Sequence, residues 1–439
     1  MIPATLVVRG ASEVATMAPP ARVRAPDGPF PGPARGAALG DLGLVPRGAV
    51  AVQDEKIVWI GPEAELSAAV ELGPETEVLD ARGGIVLPGF VDAHTHLPFA
   101  GDRANEFGMR VRGRTYAEIA AAGGGILASV RAFRAVASAE LGARARHHLD
   151  QMLALGTTTV EAKTGYGLTL EHELRGLQVL AELDRAHPMD IVPTFMGAHA
   201  IPPEHESHPE RYVDLIVEEM LPRVAEQGIA RFCDVFCEPG YFTVPQTRMI
   251  LTAARRHGLE LKLHADEFVD SGGAALAAEL EATSADHLMA IGDEGIARLA
   301  RGRTIPVLLP GTSFFLGMSR FAPGRILADR GLPLAIATDL NPGSSMVASM
   351  PLVTTLACLG LKLTPEEALV AATRNAACAA GVPDRGALAP GLLADLQILA
   401  LPAAVHVPYQ VGPSHVAHVV KRGRVVRQVG ESTHPADAS

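Results

Sequence analysis

The sequence predicts a (β/α)8 barrel that carries a small β-sandwich formed by both chain ends. Three observations predict it. Eight short apolar runs recur between Ile85 and Thr338. Helix-length stretches separate most of them. Outside this repeat, at both ends, the chain turns to β-branched runs broken by turn residues.

The runs are Ile85–Asp92, Thr157–Lys163, Asp190–Met196, Phe232–Glu238, Leu261–Asp266, Thr283–Leu288, Thr304–Leu309 and Pro333–Thr338. Between them lie Ala139–Leu155, Leu170–Ala186, Arg211–Glu226 and Gln246–His257, which read as helices. Apolar runs flanked by helices mark parallel strands buried on both faces. Eight such units over roughly 300 residues fit a barrel with insertions. A doubly wound open sheet is the alternative.

At the N-terminus, Thr5–Arg9 reads as a strand. Ala49–Val52 and Lys56–Ile60 flank Gln53-Asp54-Glu55, a hairpin pattern. Pro19 to Pro46 holds seven prolines and five glycines, so it reads as a loop. After Gly386, Ala394–Ile398 and Val416–Val426 read as strands. The expected organisation is therefore 1–84 for the first part of the sandwich, 85–385 for the barrel, 386–430 for the rest of the sandwich, and a polar tail at 431–439.

Composition narrows the function class. The chain has 439 residues, 48% hydrophobic, with net charge −11. That charge argues against nucleic acid as a partner. No apolar run is long enough to span a bilayer, and the first residues lack a signal-peptide pattern. Four cysteines make no disulfide framework, which fits a reducing cytoplasm. The expected partner is a small molecule, with a homodimer as the base-rate assembly.

Asp92-Ala93-His94-Thr95-His96 ends the first barrel run. Residues two apart on a strand point the same way, so His94 and His96 present two imidazoles to one point. The carboxyl ends of barrel strands form the active-site mouth. Paired neutral imidazoles there suit zinc or iron. His264-Ala265-Asp266-Glu267 ends run five, Ser284-Ala285-Asp286-His287 run six, and Thr338-Asp339 run eight. Ionisable groups this frequent at the ends of buried strands call for partners or a metal.

These motifs resemble the amidohydrolase superfamily, whose barrel carries His-x-His on strand one, histidines on strands five and six and an aspartate on strand eight. Asp234–Glu238 lacks the strand-four lysine that bridges two ions in some members, so the resemblance implies one metal. Lys163 ends strand two and is not assigned to it. Gly123–Ile126, Glu161–Gly167, Phe195–Ala200, Leu309–Thr312 and Asp339–Ser344 are similar to the imidazolonepropionase family within that group.

The resemblance implies a single metal, zinc or iron, on His94, His96, His264 and Asp339. It implies hydrolysis of the ring C–N bond of 4-imidazolone-5-propanoate to N-formimino-L-glutamate. Glu267 would move the proton, with His287 and Asp339 assisting. The substrate carboxylate asks for a cation, and Arg103 is the candidate. Tyr166, His199, Glu267, Asn341, Gly343 and Ser344 would contact the substrate, with backbone donors near Gly343 approaching it. The competing reading is a single-metal deaminase of a nucleobase, which has no use for Arg103.

Overall fold

The protein is described by a computed structural model covering residues 1–24, 30, 32–114, 118–119 and 123–428. The first strands are β1 (Ile2–Arg9), β2 (Glu13–Ala15), β3 (Leu44–Pro46), β4 (Gly48–Gln53), β5 (Lys56–Pro62), β6 (Val70–Asp80) and β7 (Ile85–Pro88). Eight parallel strands follow: β8 (Phe90–Thr95), β9 (Thr157–Lys163), β10 (Asp190–Ala198), β11 (Phe232–Cys237), β12 (Glu260–Ala265), β13 (Ser284–His287), β14 (Ile305–Leu308) and β15 (Ala335–Ile336). The last are β16 (Leu396–Leu399), β17 (Val416–Lys421) and β18 (Arg424–Gln428).

β8 to β15 lie side by side in chain order, as a (β/α)8 barrel requires. The first and last strands meet through a few bonds rather than a full ladder. Asp339 N–H donates to the His94 carbonyl at 3.0 Å, and His96 N–H to the Leu340 carbonyl at 3.0 Å. Just below, the Asp92 carboxylate accepts the Thr338 amide at 3.1 Å and its hydroxyl at 2.6 Å. Barrel closure therefore sets His94, His96 and Asp339 beside one another.

Two further sheets, ordered β5-β4-β1-β6 and β18-β17-β16-β7-β2-β3, draw on both chain ends. Leu6, Val8, Val50, Val86, Leu396 and Ile398 belong to one buried apolar cluster between them. This is the expected sandwich.

Several elements differ from the sequence reading. Ile85–Asp92 is two strands, not one. Ile85–Pro88 pairs with β16 and β2, and the barrel strand begins at Phe90. The chain crosses between sheets at Gly89, where a Cβ would lie 2.3 Å from the Thr158 side chain. All these residues are buried, so hydropathy carries no mark of the change of partner. Val416–Val426 is a hairpin. Arg422 and Gly423 turn it with φ of 48° and 73°, the two positive values a type I′ turn needs. Arg211–Glu226 contains a π-turn at Ile216–Met220, ahead of Pro222, which has no N–H to continue an α ladder. Within Pro19–Pro46, Pro20–Arg24 and Gly36–Gly40 are helical and β3 pairs with β2. Residues 25–29 and 31 of that segment, and the tail 431–439, lie outside the described residues.

Asp190, at the start of β10, ties the barrel to the last strands. Arg385 pairs with it, Lys421 lies at 2.8 Å and Arg422 at 3.1 Å. Burial pushes the Asp190 carboxyl up, but Lys421 and Arg385 outweigh that and hold it below the ordinary carboxylate range. A depressed folded pKa contributes stability above the unfolded pKa, and that stability is lost as pH falls through the folded one. Asp190→Asn is expected to cost about 1–3 kcal/mol at pH 7, because three cations lose one of their counter-charges while Asp384, Asp395 and Glu55 remain. It should also flatten the acid side of a thermal-midpoint profile. Identical midpoints for both proteins across pH 3–7 would show that the cluster adds nothing.

Candidate metal centre and its cavity

His94 Nε2 and His96 Nε2 lie 3.3 Å apart, and His264 Nε2 lies 3.3 Å from His96 Nε2. Asp339 Oδ1 is 3.5 Å from His94 Nε2 and 3.4 Å from His96 Nε2. All four residues are buried. His94 Nδ1 sits 2.6 Å from Asp286 Oδ2, and His264 Nδ1 sits 3.0 Å from Asp234 Oδ1. A carboxylate only accepts, so each Nδ1 carries the proton and each Nε2 turns a lone pair inward.

Lone pairs and a carboxylate oxygen crowded this closely repel one another unless a cation lies among them. A tetrahedron with bonds of about 2.0–2.2 Å has edges of roughly 3.3–3.6 Å, and these four separations fall in that range. Asp339 divides its oxygens. Oδ2 accepts the Thr312 hydroxyl at 2.6 Å, while Oδ1 is buried with no hydrogen-bond partner among the described residues. Burial, then Lys163, holds His94 well below the usual imidazole range; burial, then His264, does so for His96. Neutral imidazole is the form that ligates a metal. The donor set fits one ion.

Backbone strain concentrates here. Asp339 has φ of 55° and His287 φ of 76°, left-handed values that cost a non-glycine residue about 1 kcal/mol or more.

A cavity of about 600 Å³ opens onto these groups. His96, His264, Asp339, Glu267 and His287 line it, as do Arg103, Tyr166, His199, Asn341, Gly343 and Ser344. Every residue singled out from the sequence faces one space, except His94, which is sealed behind it. Glu267 Oε1 lies 3.6 Å from His287 Nδ1. Burial, then Asp339 and Glu238, pushes the Glu267 carboxyl well above its usual range. Burial pushes the His287 imidazole down to about 3. His199 donates from Nδ1 to the Gly165 carbonyl at 3.0 Å, so its Nε2 lone pair is free of that bond. Its ring stacks on His96 with centroids 4.9 Å apart.

Arg103 brings its own counter-ion. Its Nε and Nη2 donate to Glu106 Oε2 at 2.8 and 2.6 Å, leaving the end-on Nη1 edge for a ligand. Nη1 packs close to Gly343, where a Cβ would stand 2.0 Å from it, so a side chain there would push the guanidinium aside. The amides of Gly343 and Ser344, expected to face a ligand, instead donate to Asn341 Oδ1 at 2.8 Å each. Asn341 Nδ2 donates to the Asp339 carbonyl at 2.7 Å. The Asn341 side chain therefore shapes the turn that follows Asp339.

Sequence reasoning missed four groups. Arg110 lines the cavity and donates to the Gly343 carbonyl at 2.9 Å; its spacing of seven from Arg103, two helical turns, was the available signal. Glu238 accepts the amides of Glu267, Phe268 and Val269 at 3.1, 3.2 and 2.9 Å and so fixes the loop that carries Glu267. Asp234 and Asp286 orient the metal-facing histidines, as described above. Both were visible as acids inside apolar runs.

Known proteins agree with this geometry. Residues 85–426 match the amidohydrolase family, and residues 48–69 match an imidazolonepropionase-like composite domain of bacteria. An imidazolonepropionase of Symbiobacterium thermophilum is 51% identical over 433 residues, spanning 98% of this chain and 99% of that protein. The chain belongs to the imidazolonepropionase family. Another family member, from Geobacillus kaustophilus, is 49% identical over 90% of this chain and 93% of its own length. The fold reaches beyond the family. A zinc-bound adenosine deaminase from Xanthomonas campestris superposes with a TM-score of 0.70 at 18% identity, covering 97% of this chain and 93% of that one. A 5-methylcytosine deaminase from Klebsiella pneumoniae gives 0.69 at 19%, over 88% and 96%.

Elemental analysis of protein purified without added metal is expected to find one ion per chain. His264→Ala, which removes one donor, should contain well under half of that. Equal metal in both would mean that the ion sits elsewhere.

Proposed function

We propose that this chain hydrolyses the ring C–N bond of 4-imidazolone-5-propanoate to N-formimino-L-glutamate, a step of histidine degradation, in the cytoplasm. The observation that carries the reading is one cavity lined by His96, His264 and Asp339, by the buried Glu267–His287 pair and by Arg103, with His94 behind its wall. All four cysteines are free, which fits a reducing compartment.

His94, His96, His264 and Asp339 would hold a single ion. Zinc is the assignment the three-imidazole, one-carboxylate set favours, and iron is the other ion it accepts. When bound, that ion supplies Lewis-acid polarisation of the ring carbonyl and lowers the pKa of water. Glu267 takes the proton from the attacking water, a task suited to a carboxylate whose buried site raises its proton affinity. The water oxygen bonds to the ring carbonyl carbon, and the C–N bond to the ring nitrogen breaks. Glu267 returns that proton to the nitrogen, and the second water proton leaves the new carboxyl group for the basic formimino nitrogen or solvent, giving the carboxylate. His287, kept neutral by burial, donates an N–H to the oxygen that gains charge. Asp339 assists by holding its second oxygen on Thr312.

Arg103 receives the propionate on its end-on edge, while Glu106 keeps the side-on edge occupied. Tyr166 and His199 flank the ring, and the Asn341–Ser344 turn backs Arg103.

Purified protein is expected to turn over 4-imidazolone-5-propanoate and leave cytosine unchanged; deamination without ring opening would point to the other chemistry. Arg103→Ala should raise KM about 10- to 100-fold, and Arg103→Lys less, because it keeps the charge and loses the fork. Glu267→Gln should retain the metal and lose about 10²–10⁴ in kcat. A metal-free Glu267→Gln protein would make the residue a ligand instead.

A further inference from the structure

We propose that Lys163 is a positioning residue for the metal ligands, acting through the two carboxylates that orient His264 and His94. The inference rests on the metal-site reading above and assigns its rigidity to one buried ammonium.

Lys163 is fully buried at the end of β9. Its Nζ lies 2.9 Å from Glu161 Oε1, 2.9 Å from Asp234 Oδ2 and 3.9 Å from Asp286 Oδ2. Asp234 uses its other oxygen, Oδ1, to accept from His264 Nδ1 at 3.0 Å and from the His264 amide at 3.2 Å. Asp286 Oδ2 takes His94 Nδ1 at 2.6 Å. One cation thus pairs with Asp234 and lies within 3.9 Å of Asp286, the two acids that set two of the three imidazoles. Glu161 is itself held by the Thr194 hydroxyl of β10. The ammonium therefore has a place defined from β9, β10, β11 and β13.

The arrangement has a physical consequence. Three carboxylates in a water-free barrel repel one another and have no solvent to screen them. With Lys163 among them, Asp234 is pinned through Oδ2, so Oδ1 can face only His264. Without it, Asp234 Oδ2 has no counter-charge, only the two His264 bonds hold the carboxylate, and the imidazole it aims is held less firmly. Lys262, also buried in the barrel, shares the field at Asp286 but makes no bond to Asp234. Its Nζ donates to the Ala379 carbonyl at 2.8 Å and to the Ser284 hydroxyl at 3.1 Å.

The test measures metal handling rather than turnover. Cobalt(II)-loaded wild type, Lys163→Met and Val235→Ala are compared by their ligand-field spectra and by metal release to an excess of chelator. Val235→Ala removes packing from the same strand as Asp234 and changes no charge, so it reports what simple loss of stability does. Lys163→Met is expected to release metal about 10- to 100-fold faster than wild type, the range typical of lost outer partners, and to shift the spectrum. Val235→Ala should keep the wild-type spectrum and release rate within about twofold. Lys163→Met/Glu161→Gln, which removes one charge of each sign, serves if the single variant does not fold, and it should show the same fast release. The proposal is overturned if the folded lysine variants hold metal like wild type. It is equally overturned if Val235→Ala releases metal as fast as Lys163→Met. Failure of both lysine variants to fold would make Lys163 a folding residue and overturn it too. A wild type that takes up no cobalt would instead sink the metal-site reading itself.

Discussion

Three imidazole nitrogens and a carboxylate oxygen, mutually 3.3–3.5 Å apart where they meet, form the constraint around which the barrel mouth is organised. Their donor atoms crowd together at the wall of the cavity, and a cation among them would relieve their repulsion. It also gives a reason for the carboxylates of Asp286 and Asp234, which fix the imidazole protons on the far side of the His94 and His264 rings. Two of the residues around it, Asp339 and His287, hold left-handed backbone.

The closure of the barrel and the assembly of the site are one event. β15 is only two residues long, and the first and last strands join through the backbone of His94, His96, Asp339 and Leu340. Asp92 secures the same seam through Thr338. Burial pushes the Asp92 carboxyl up to about 7, against the pull of its bonds from Thr338. Beneath the seam the interior is charged rather than oily, with Lys163 and Lys262 among Glu161, Asp234 and Asp286. A buried charge layer costs several kcal/mol per ion when unpaired. Its retention makes sense where aim matters more than stability.

The cavity shows the same division between holding and acting. Glu238 and Asn341 take no position beside the metal donors, yet they shape the loops that bring Glu267 and Gly343 to it. Arg103 and Arg110 put two cations against one turn, with Glu106 balancing the first. The result is one pocket lined both by these cations and by the buried imidazoles and carboxylates.

By itself, the sequence determined the barrel, the sandwich from both ends, and the residues that face the cavity. Those features are written in local patterns: apolar runs, two-residue spacing, and ionisable groups where a buried strand ends. Tertiary structure decided the rest. Ile85–Asp92 reads as one strand because hydropathy records burial and not hydrogen-bond partners, and only the sheets show the crossing at Gly89. Lys163, Asp234 and Asp286 stand 71 and 52 residues apart in turn along the chain, so no local spacing could join them. The same holds for the tautomers of His94 and His264, which depend on acids from other strands. A residue's chemistry is legible from its type and place in a run. Its partner is set by the folding of distant strands into one closed wall.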